Sequence, residues 1–93
     1  MIKTFRDRDT ERLFKRQRIK RFLLSIQKVA QRKLDLIDGA DLIEDLRTPP
    51  GNRLEKLSGI RKGPYSIHVN DQWRICFRWK SGQATDVEIV DYH

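Results

Sequence analysis

Ile19, Phe22, Leu23, Ile26, Val29, Ala30, Leu34 and Ile37 recur at three- and four-residue spacing. At about 3.6 residues per turn such positions fall on one face. The spacing predicts a helix over 18–38, with Lys20, Arg21, Lys28, Arg32 and Lys33 on its other face and Gly39 as its stop. An apolar stripe that long has to be covered by something. The second half of the chain supplies the cover, because its period changes to two. Tyr65, Ile67 and Val69 alternate with Ser66 and His68. Trp73, Ile75, Phe77 and Trp79 alternate with Arg74, Cys76 and Arg78, and Val87 and Ile89 with Glu88 and Val90. The intervening Asn70-Asp71-Gln72 and Lys80-Ser81-Gly82 read as turns.

This pattern is an antiparallel three-stranded meander with one apolar face. A further strand is expected around Leu54 and Leu57, before Gly59. Trp73, Phe77 and Trp79 share the parity of Ile75, so they read as core. Ile2 to Arg6 alternates as a short strand would. Asp9 and Thr10 suit the start of a first helix. Asp41 to Glu44 reads as a cap leading into a short helix that ends near Arg47, and Thr48 to Asn52 as a loop. The fold class is α+β, with N-terminal helices laid on an antiparallel sheet. At 93 residues, one domain over 1–93 is expected.

Charge narrows the partners. The net charge is +7, and it is uneven. Residues 1–34 carry a balance of +9, 35–46 of −5, 47–80 of +6 and 81–93 of −3. A basic surface attracts polyanions because each neutralised phosphate releases condensed counterions, so nucleic acid is the expected partner class. The acidic stretch Asp35 to Asp45 is a candidate docking surface for a protein partner. No apolar run approaches the roughly 18–20 residues that cross a bilayer, and no apolar signal core opens the chain. One cysteine and two histidines make neither an internal disulfide nor an obvious zinc site. With no Gly-rich phosphate loop either, the expectation is a reduced, cytoplasmic domain without metal or cofactor.

Chemistry can sit in three places. If Val69 pairs with Trp73, the same register puts His68 opposite Arg74. A row of His68, Arg74 and Arg78 then either grips a sugar-phosphate backbone or pairs across strands with Asp86 or Glu88. Glu55, Lys56, Arg61 and Lys62 form a charged segment beside the short strand. The chain closes on Asp91-Tyr92-His93, an acid, a phenol and an imidazole. Cutting RNA without a metal needs a group to take a proton from a 2′-hydroxyl, cations to meet the phosphorane charge, and a group to protonate the 5′-oxygen. Read on residue type alone, a fraying end is the stronger account of the same three residues. Cys76 has no neighbour in sequence that would activate it.

The ordered set Leu54-x-x-Leu57-x-Gly59, Tyr65-Ser66-Ile67-x-Val69, Trp73-Arg74-Ile75-x-Phe77 and Asp91-Tyr92-His93 resembles the HigB-type toxins of the RelE/ParE superfamily. The resemblance spans the whole chain. It implies a type II toxin–antitoxin system and a ribosome-dependent mRNA endonuclease that leaves a 2′,3′-cyclic phosphate. It also implies a HigA-type helix-turn-helix antitoxin, through which alone the toxin meets operator DNA. The ribosome and mRNA are the implied targets; no membrane is involved. Asp91, Tyr92, His93 and Arg74 match the family's catalytic positions. RNA contacts fall to Lys56, Arg61, Lys62, Arg78, Lys20, Arg21, Lys28 and Arg32.

The chain departs from the family at one place. Where members often read Leu-His-x-Leu-Lys-Gly, this sequence has Leu54-Glu55-Lys56-Leu57-Ser58-Gly59. Glu55 becomes the candidate base, and Lys56 or Arg61 the replacement cation. The same departure motivates the alternative, a basic inhibitor that binds the ribosome or its assembly intermediates and cuts nothing.

Overall fold

A computed structural model of the chain describes residues 1–20, 24–56 and 64–91. Its centre is a four-stranded antiparallel sheet in the order β1-β2-β3-β4, with β1 Glu55–Lys56, β2 Pro64–His68, β3 Trp73–Lys80 and β4 Gln83–Asp91. The expected meander is there, and the expected extra strand is β1. Ile67, Ile75 and Ile89 stand side by side across it. With Val69, Phe77 and Val87 they form the buried face. Each such side chain contributes about 1.5–3 kcal/mol by leaving water.

Two hairpins set this register. Lys80 pairs with Gln83 around Ser81-Gly82, and both turn residues have positive φ, 52° and 77°. That is the I′ geometry whose twist suits adjoining strands, and glycine adopts it without strain. At the other end the Asn70 side chain accepts from the Gln72 and Trp73 amides at 2.9 and 2.8 Å. Val69 N–H donates to the Trp73 carbonyl at 3.0 Å, and His68 lies opposite Arg74, as expected.

The helices cover the apolar face. α1 spans Arg8–Phe14 and α2 Leu24–Gly39. Leu13 of α1 and Ile26, Ala30, Leu34 and Ile37 of α2 join the sheet residues in one core. No helix among the described residues is long and apolar enough to cross a membrane.

Five details differ from the sequence reading. The helix predicted over 18–38 starts at Leu24. Ile19 is buried all the same, because the Gln27 amide clasps its backbone: Nε2 donates to the Ile19 carbonyl at 2.8 Å and Oε1 accepts from its N–H at 3.3 Å. Phe22 and Leu23 lie outside the described residues. α1 is capped by Asp7, not Asp9, with the carboxylate accepting from Thr10 N–H at 3.1 Å and Thr10 Oγ1 at 2.6 Å. Ile2 to Arg6 makes two parallel bridges to β4, Ile2 with Ala84 and Phe5 with Val87, rather than a strand. The short helix after Asp41 is a 3₁₀ turn over Ile43–Arg47, whose Asp45 carboxylate accepts from the Asp41 and Leu42 amides. The loop behind it holds a second 3₁₀ turn, Pro50–Asn52.

Candidate functional site

The face of the sheet turned away from the helices carries Ser66 and His68 from β2 and Arg74 and Cys76 from β3. Side chains alternate across a strand, so the parity that sends Ile67 and Ile75 into the core sends these four the other way. The middle of this face is dry: Ser66 is fully buried, and Arg74 is only 8% exposed.

A buried guanidinium persists only when its charge and its N–H groups are engaged. Arg74 Nε donates to Ser66 Oγ at 2.9 Å. Its Nη2 donates to the Arg53 carbonyl at 2.8 Å and to the Ser66 carbonyl at 3.3 Å. The Glu55 carboxylate lies 3.9 Å from Nη2. The pairing of Glu55 with Ser66 at the sheet edge brings that carboxylate there. Arg53 presents its carbonyl from a left-handed backbone conformation, φ 44° and ψ 56°, as the chain leaves the Pro50–Asn52 turn.

That turn is tied to α2. The Asn52 side chain is buried and donates to the Leu46 and Thr48 carbonyls at 3.1 and 3.3 Å. Its oxygen accepts from Lys33 Nζ. Lys33 was expected on the outer helix face but is only 7% exposed. It lies in sequence between the core residues Ala30 and Leu34. Burial, and after it the charge of Arg32, holds its pKa below the usual lysine range.

Two further groups on this face have altered acidity. Burial is the main cause lowering the His68 pKa, followed by the positive charges of Arg53 and Arg74 and, to a smaller degree, Lys33; Asp71 opposes them. His68 is therefore neutral at physiological pH. The Cys76 thiol is pushed up to about 11 by burial and by Glu88, against the opposing charge of Arg74. A thiol with that acidity is no nucleophile at neutral pH.

Of the residues singled out from the sequence, Arg74, His68 and Glu55 come together. Arg78 lies farther along β3, beyond a bulge, and pairs with Asp86 at 3.5 Å. This is the cross-strand alternative raised for the arginine row. Lys56 lies over the Tyr65 ring, 5.9 Å from its centroid. Asp91 ends β4 opposite Trp73, one step past the Arg74–Val90 pair, and accepts from Gln72 Nε2 at 3.1 Å. Its parity places that carboxylate on the helix side of the sheet, not on the Arg74 side. Lys20, Lys28 and Arg32 are exposed on the helical layer. Arg21, Arg61, Lys62, Tyr92 and His93 lie outside the described residues.

The sequence reading missed Ser66, Asn52 and the carbonyl of Arg53. Ser66 had a signal, since it shares the parity of His68 and Arg74. Lys33 also had one, a cation beside Leu34 on the apolar stripe. Nothing local marks the other two, because a long-range contact assembles them.

In the acidic stretch, Asp35 pairs with Arg16 at 2.5 Å, the Asp38 carboxylate accepts from Ile2 N–H at 2.9 Å, Glu44 pairs with Arg47, and Asp45 caps its own turn. Most of its carboxylates are therefore engaged within the chain.

The chain matches the model of a family described as the RelE-like toxin of the type II toxin–antitoxin system HigB, over residues 3–93. Among curated proteins it is similar to Toxin HigB-1 of Vibrio cholerae, 41% identical over 85 residues and 90% of each chain. It is also similar to a protein named Endoribonuclease HigB from Proteus vulgaris, 38% identical over 61 residues, 66% of this chain and 65% of that one. An uncharacterized protein of Haemophilus influenzae is 38% identical over 63 residues, 68% of this chain and 62% of the other. A helix-covered antiparallel sheet with an engaged strand arginine, matched along nearly its whole length, places this chain in the HigB-like family of toxins of type II toxin–antitoxin systems.

Proposed function

We propose that this toxin is an endoribonuclease that cuts mRNA on the ribosome and needs no metal. The observation that carries the reading is the buried Arg74, whose guanidinium is held in place by Ser66 and the Arg53 carbonyl beside the Glu55 carboxylate. A cation preset in a dry setting favours charge that develops on a phosphorane and does not have to reorganise as the reaction proceeds. The name of the Proteus vulgaris relative supports the same chemistry.

In the proposed step, a carboxylate takes the proton of a 2′-hydroxyl; Glu55 is the candidate. The 2′-oxygen forms a bond to phosphorus while the bond to the 5′-oxygen breaks. The electron pair leaves on the 5′-oxygen, which gains a proton from His93, and the products are a 2′,3′-cyclic phosphate and a 5′-hydroxyl. Arg74 meets the charge on the non-bridging oxygens. Tyr92 stacks on or orients a base, and Asp91, which accepts from Gln72 Nε2, belongs to the same catalytic set. Lys56, Arg61, Lys62 and Arg78 line the path of the strand, and Lys20, Arg21, Lys28 and Arg32 meet ribosomal RNA. The whole chain acts as one domain in the cytoplasm, silenced by a HigA-type helix-turn-helix antitoxin that carries it to operator DNA.

The test is cleavage mapping by primer extension on a translated message, with and without ribosomes. Cuts that require ribosomes and vanish in Arg74→Ala are the expected result. Ribosome-independent cuts would remove the ribosome from the reading.

One observation favours a second reading. A carboxylate 3.9 Å from the phosphate-binding arginine repels the phosphate it should help to cut. A toxin that occupies the ribosome without cutting would then arrest growth even as Asp91→Ala with His93→Ala. Loss of arrest in that double variant argues for the nuclease.

A further inference from the structure

We infer that the groove between the carboxyl end of α2 and the 3₁₀ turn at Ile43–Arg47 is a docking surface for this toxin's antitoxin, which enters it with an apolar side chain flanked by lysine or arginine. That such a partner exists follows from membership of a type II toxin–antitoxin family and does not depend on the nuclease reading.

The groove holds about 340 Å³. It is lined by Asp35, Leu36 and Gly39 of α2, by Ala40, and by Asp45 and Leu46 of the turn. Its apolar lining belongs to the core, since Ala40 and Leu46 are buried and Leu36 packs against them and their neighbours. Leu42 stands beside it, tied to the lining residue Asp45 by its N–H at 3.0 Å, and is 64% exposed. Met1 is the other large apolar side chain left exposed among the described residues, and it comes to the same corner. Ile2 N–H donates to the Asp38 carboxylate in the last turn of α2. The amino group of Met1 donates to the Gly82 carbonyl, and a Cβ placed on Gly82 would stand 3.4 Å from the Asp41 carbonyl oxygen. A recess with exposed apolar side chains gathered around it marks an interaction site. Ligand pockets run to about 300–1,000 Å³, so this one is small and suits an anchoring side chain of a protein partner. A stable interface buries about 800 Å² on each side, so the groove is the anchor and the surface around it completes the contact.

Charge selects the occupant. Residues 35–46 carry five acids and no base. Arg16 and Arg47 pair with Asp35 and Glu44 and offset two of the five. Asp38 and Asp45 accept from backbone N–H groups, which leaves their charge in place. Asp41 is exposed and has no ion-pair partner among the described residues.

The helix end acts in the same sense. Carbonyls at the carboxyl end of a helix bear partial negative charge, which a lysine or arginine in the last turn ordinarily offsets. The last turn of α2 holds no base. A negative surface of this kind repels RNA, so the polyanions that a chain of net charge +7 attracts meet it elsewhere. What it accepts is a cationic segment of a protein, and the antitoxin is the protein partner that the family implies.

The experiment measures the affinity of the full-length toxin for the antitoxin encoded with it, by biolayer interferometry at several salt concentrations. Gly39 lines the groove and is exposed, and a Cβ placed there meets nothing within 4 Å. Gly39→Trp therefore fills the recess while the fold stands, and should weaken antitoxin binding about thirtyfold. Leu42→Ser should weaken it about fivefold. Asp41→Lys should slow association about tenfold at low salt and flatten its salt dependence. Leu42 and Asp41 are exposed, so their variants report on the groove even where the Gly39 variant is unstable. Asp71→Lys makes the same charge change in the turn after β2, at the other end of the sheet from Gly82. It is the control, and should stay within about twofold of the parent.

Antitoxin binding that is unchanged in Leu42→Ser and Asp41→Lys overturns the proposal, as does equal slowing by Asp71→Lys. A different occupant overturns it too: a toxin dimer in light scattering, or ribosome co-sedimentation, that Gly39→Trp abolishes while antitoxin binding holds. The two readings fail separately, because none of these variants touches the Arg74 cluster. Lost antitoxin binding in a toxin that cuts nothing keeps the groove and sinks the nuclease. Parental antitoxin binding in variants of a toxin that cuts does the reverse.

Discussion

Positive charge occupies two regions of this molecule in two different ways. On the helical layer Lys20, Lys28 and Arg32 stand in solvent. On the opposite face of the sheet Arg74 is buried and bonded, and Lys33 is buried within the helical layer against Asn52. Exposed charge attracts any polyanion from a distance and is weakened by salt. Buried charge acts only on an atom brought to it, but there it acts at full strength and with fixed geometry. The first arrangement suits capture and the second suits chemistry. A chain with a net charge of +7 would look the same by composition with every cation on its surface.

The contrast is broken most directly at Arg74. Arg74→Lys keeps the charge and loses the fork that spans Ser66 and the Arg53 carbonyl. Ribosome-dependent cleavage should fall by about 10²–10³-fold, while ribosome co-sedimentation stays within about threefold of the parent. Cleavage at near-parental rate would show that charge alone is needed and that the buried geometry is incidental.

The second prediction tests what holds the buried side in place. Asn52→Ala leaves Lys33 Nζ and two carbonyls without their partner. It should cost about 2–3 kcal/mol in urea unfolding at neutral pH. A change below about 0.5 kcal/mol would mean that water replaces the amide at no cost. It would also detach α2 from the Arg74 side of the molecule.

How much of this was legible in the sequence follows the same division. The strand alternation from Tyr65 to Val90 and the opposition of His68 to Arg74 were readable, because register in a hairpin is set by residues a few positions apart. The helical stripe was readable as packing throughout and as helix from Leu24 onward. Ile19 is as buried as Ile26, yet it lies outside α2 and is held by a glutamine eight residues on. Periodicity reports burial, and burial does not require the helix to continue. The basic helix face was mostly legible for the same reason, with Lys33 the exception because it sits at the edge of the stripe. The cluster around Arg74 was legible only in its strand members. Asn52 and Arg53 enter it through a turn whose backbone, not whose side-chain type, does the positioning. No spacing rule connects a turn at 50–53 to an arginine at 74.

The exposed region is tested by removing its charge. Lys28→Glu with Arg32→Glu should leave thermal stability within about 0.5 kcal/mol. Ribosome affinity at low salt should fall, and the dependence of log affinity on log salt should become shallower by about 0.7 for each phosphate that is no longer neutralised. An unchanged salt slope would move the capture surface elsewhere. A large drop in stability would show that these cations also support the fold and are not simply free surface charge.

The smallest effect concerns Cys76, which shares the Arg74 face without joining its chemistry. In the folded chain its thiol holds its proton to about 11, against an ordinary value of 9.0. The stabilisation tied to the protonated thiol is complete below pH 9 and is lost as pH rises from about 9 to about 11, because only the unfolded chain ionises easily in that window. Lys33 works in the opposite sense there. Its folded pKa lies below the lysine value, so raising the pH removes a charge the folded state disfavours. The net slope therefore mixes the two, and the comparison with Cys76→Ala isolates the thiol. The variant's stability should fall less than the parent's between pH 9 and pH 11. At pH 7.5 iodoacetamide should label the parent far more slowly when folded than when unfolded in urea. Equal labelling rates would mean that the far face is open to small solutes, and the dry setting invoked for Arg74 would fail with it.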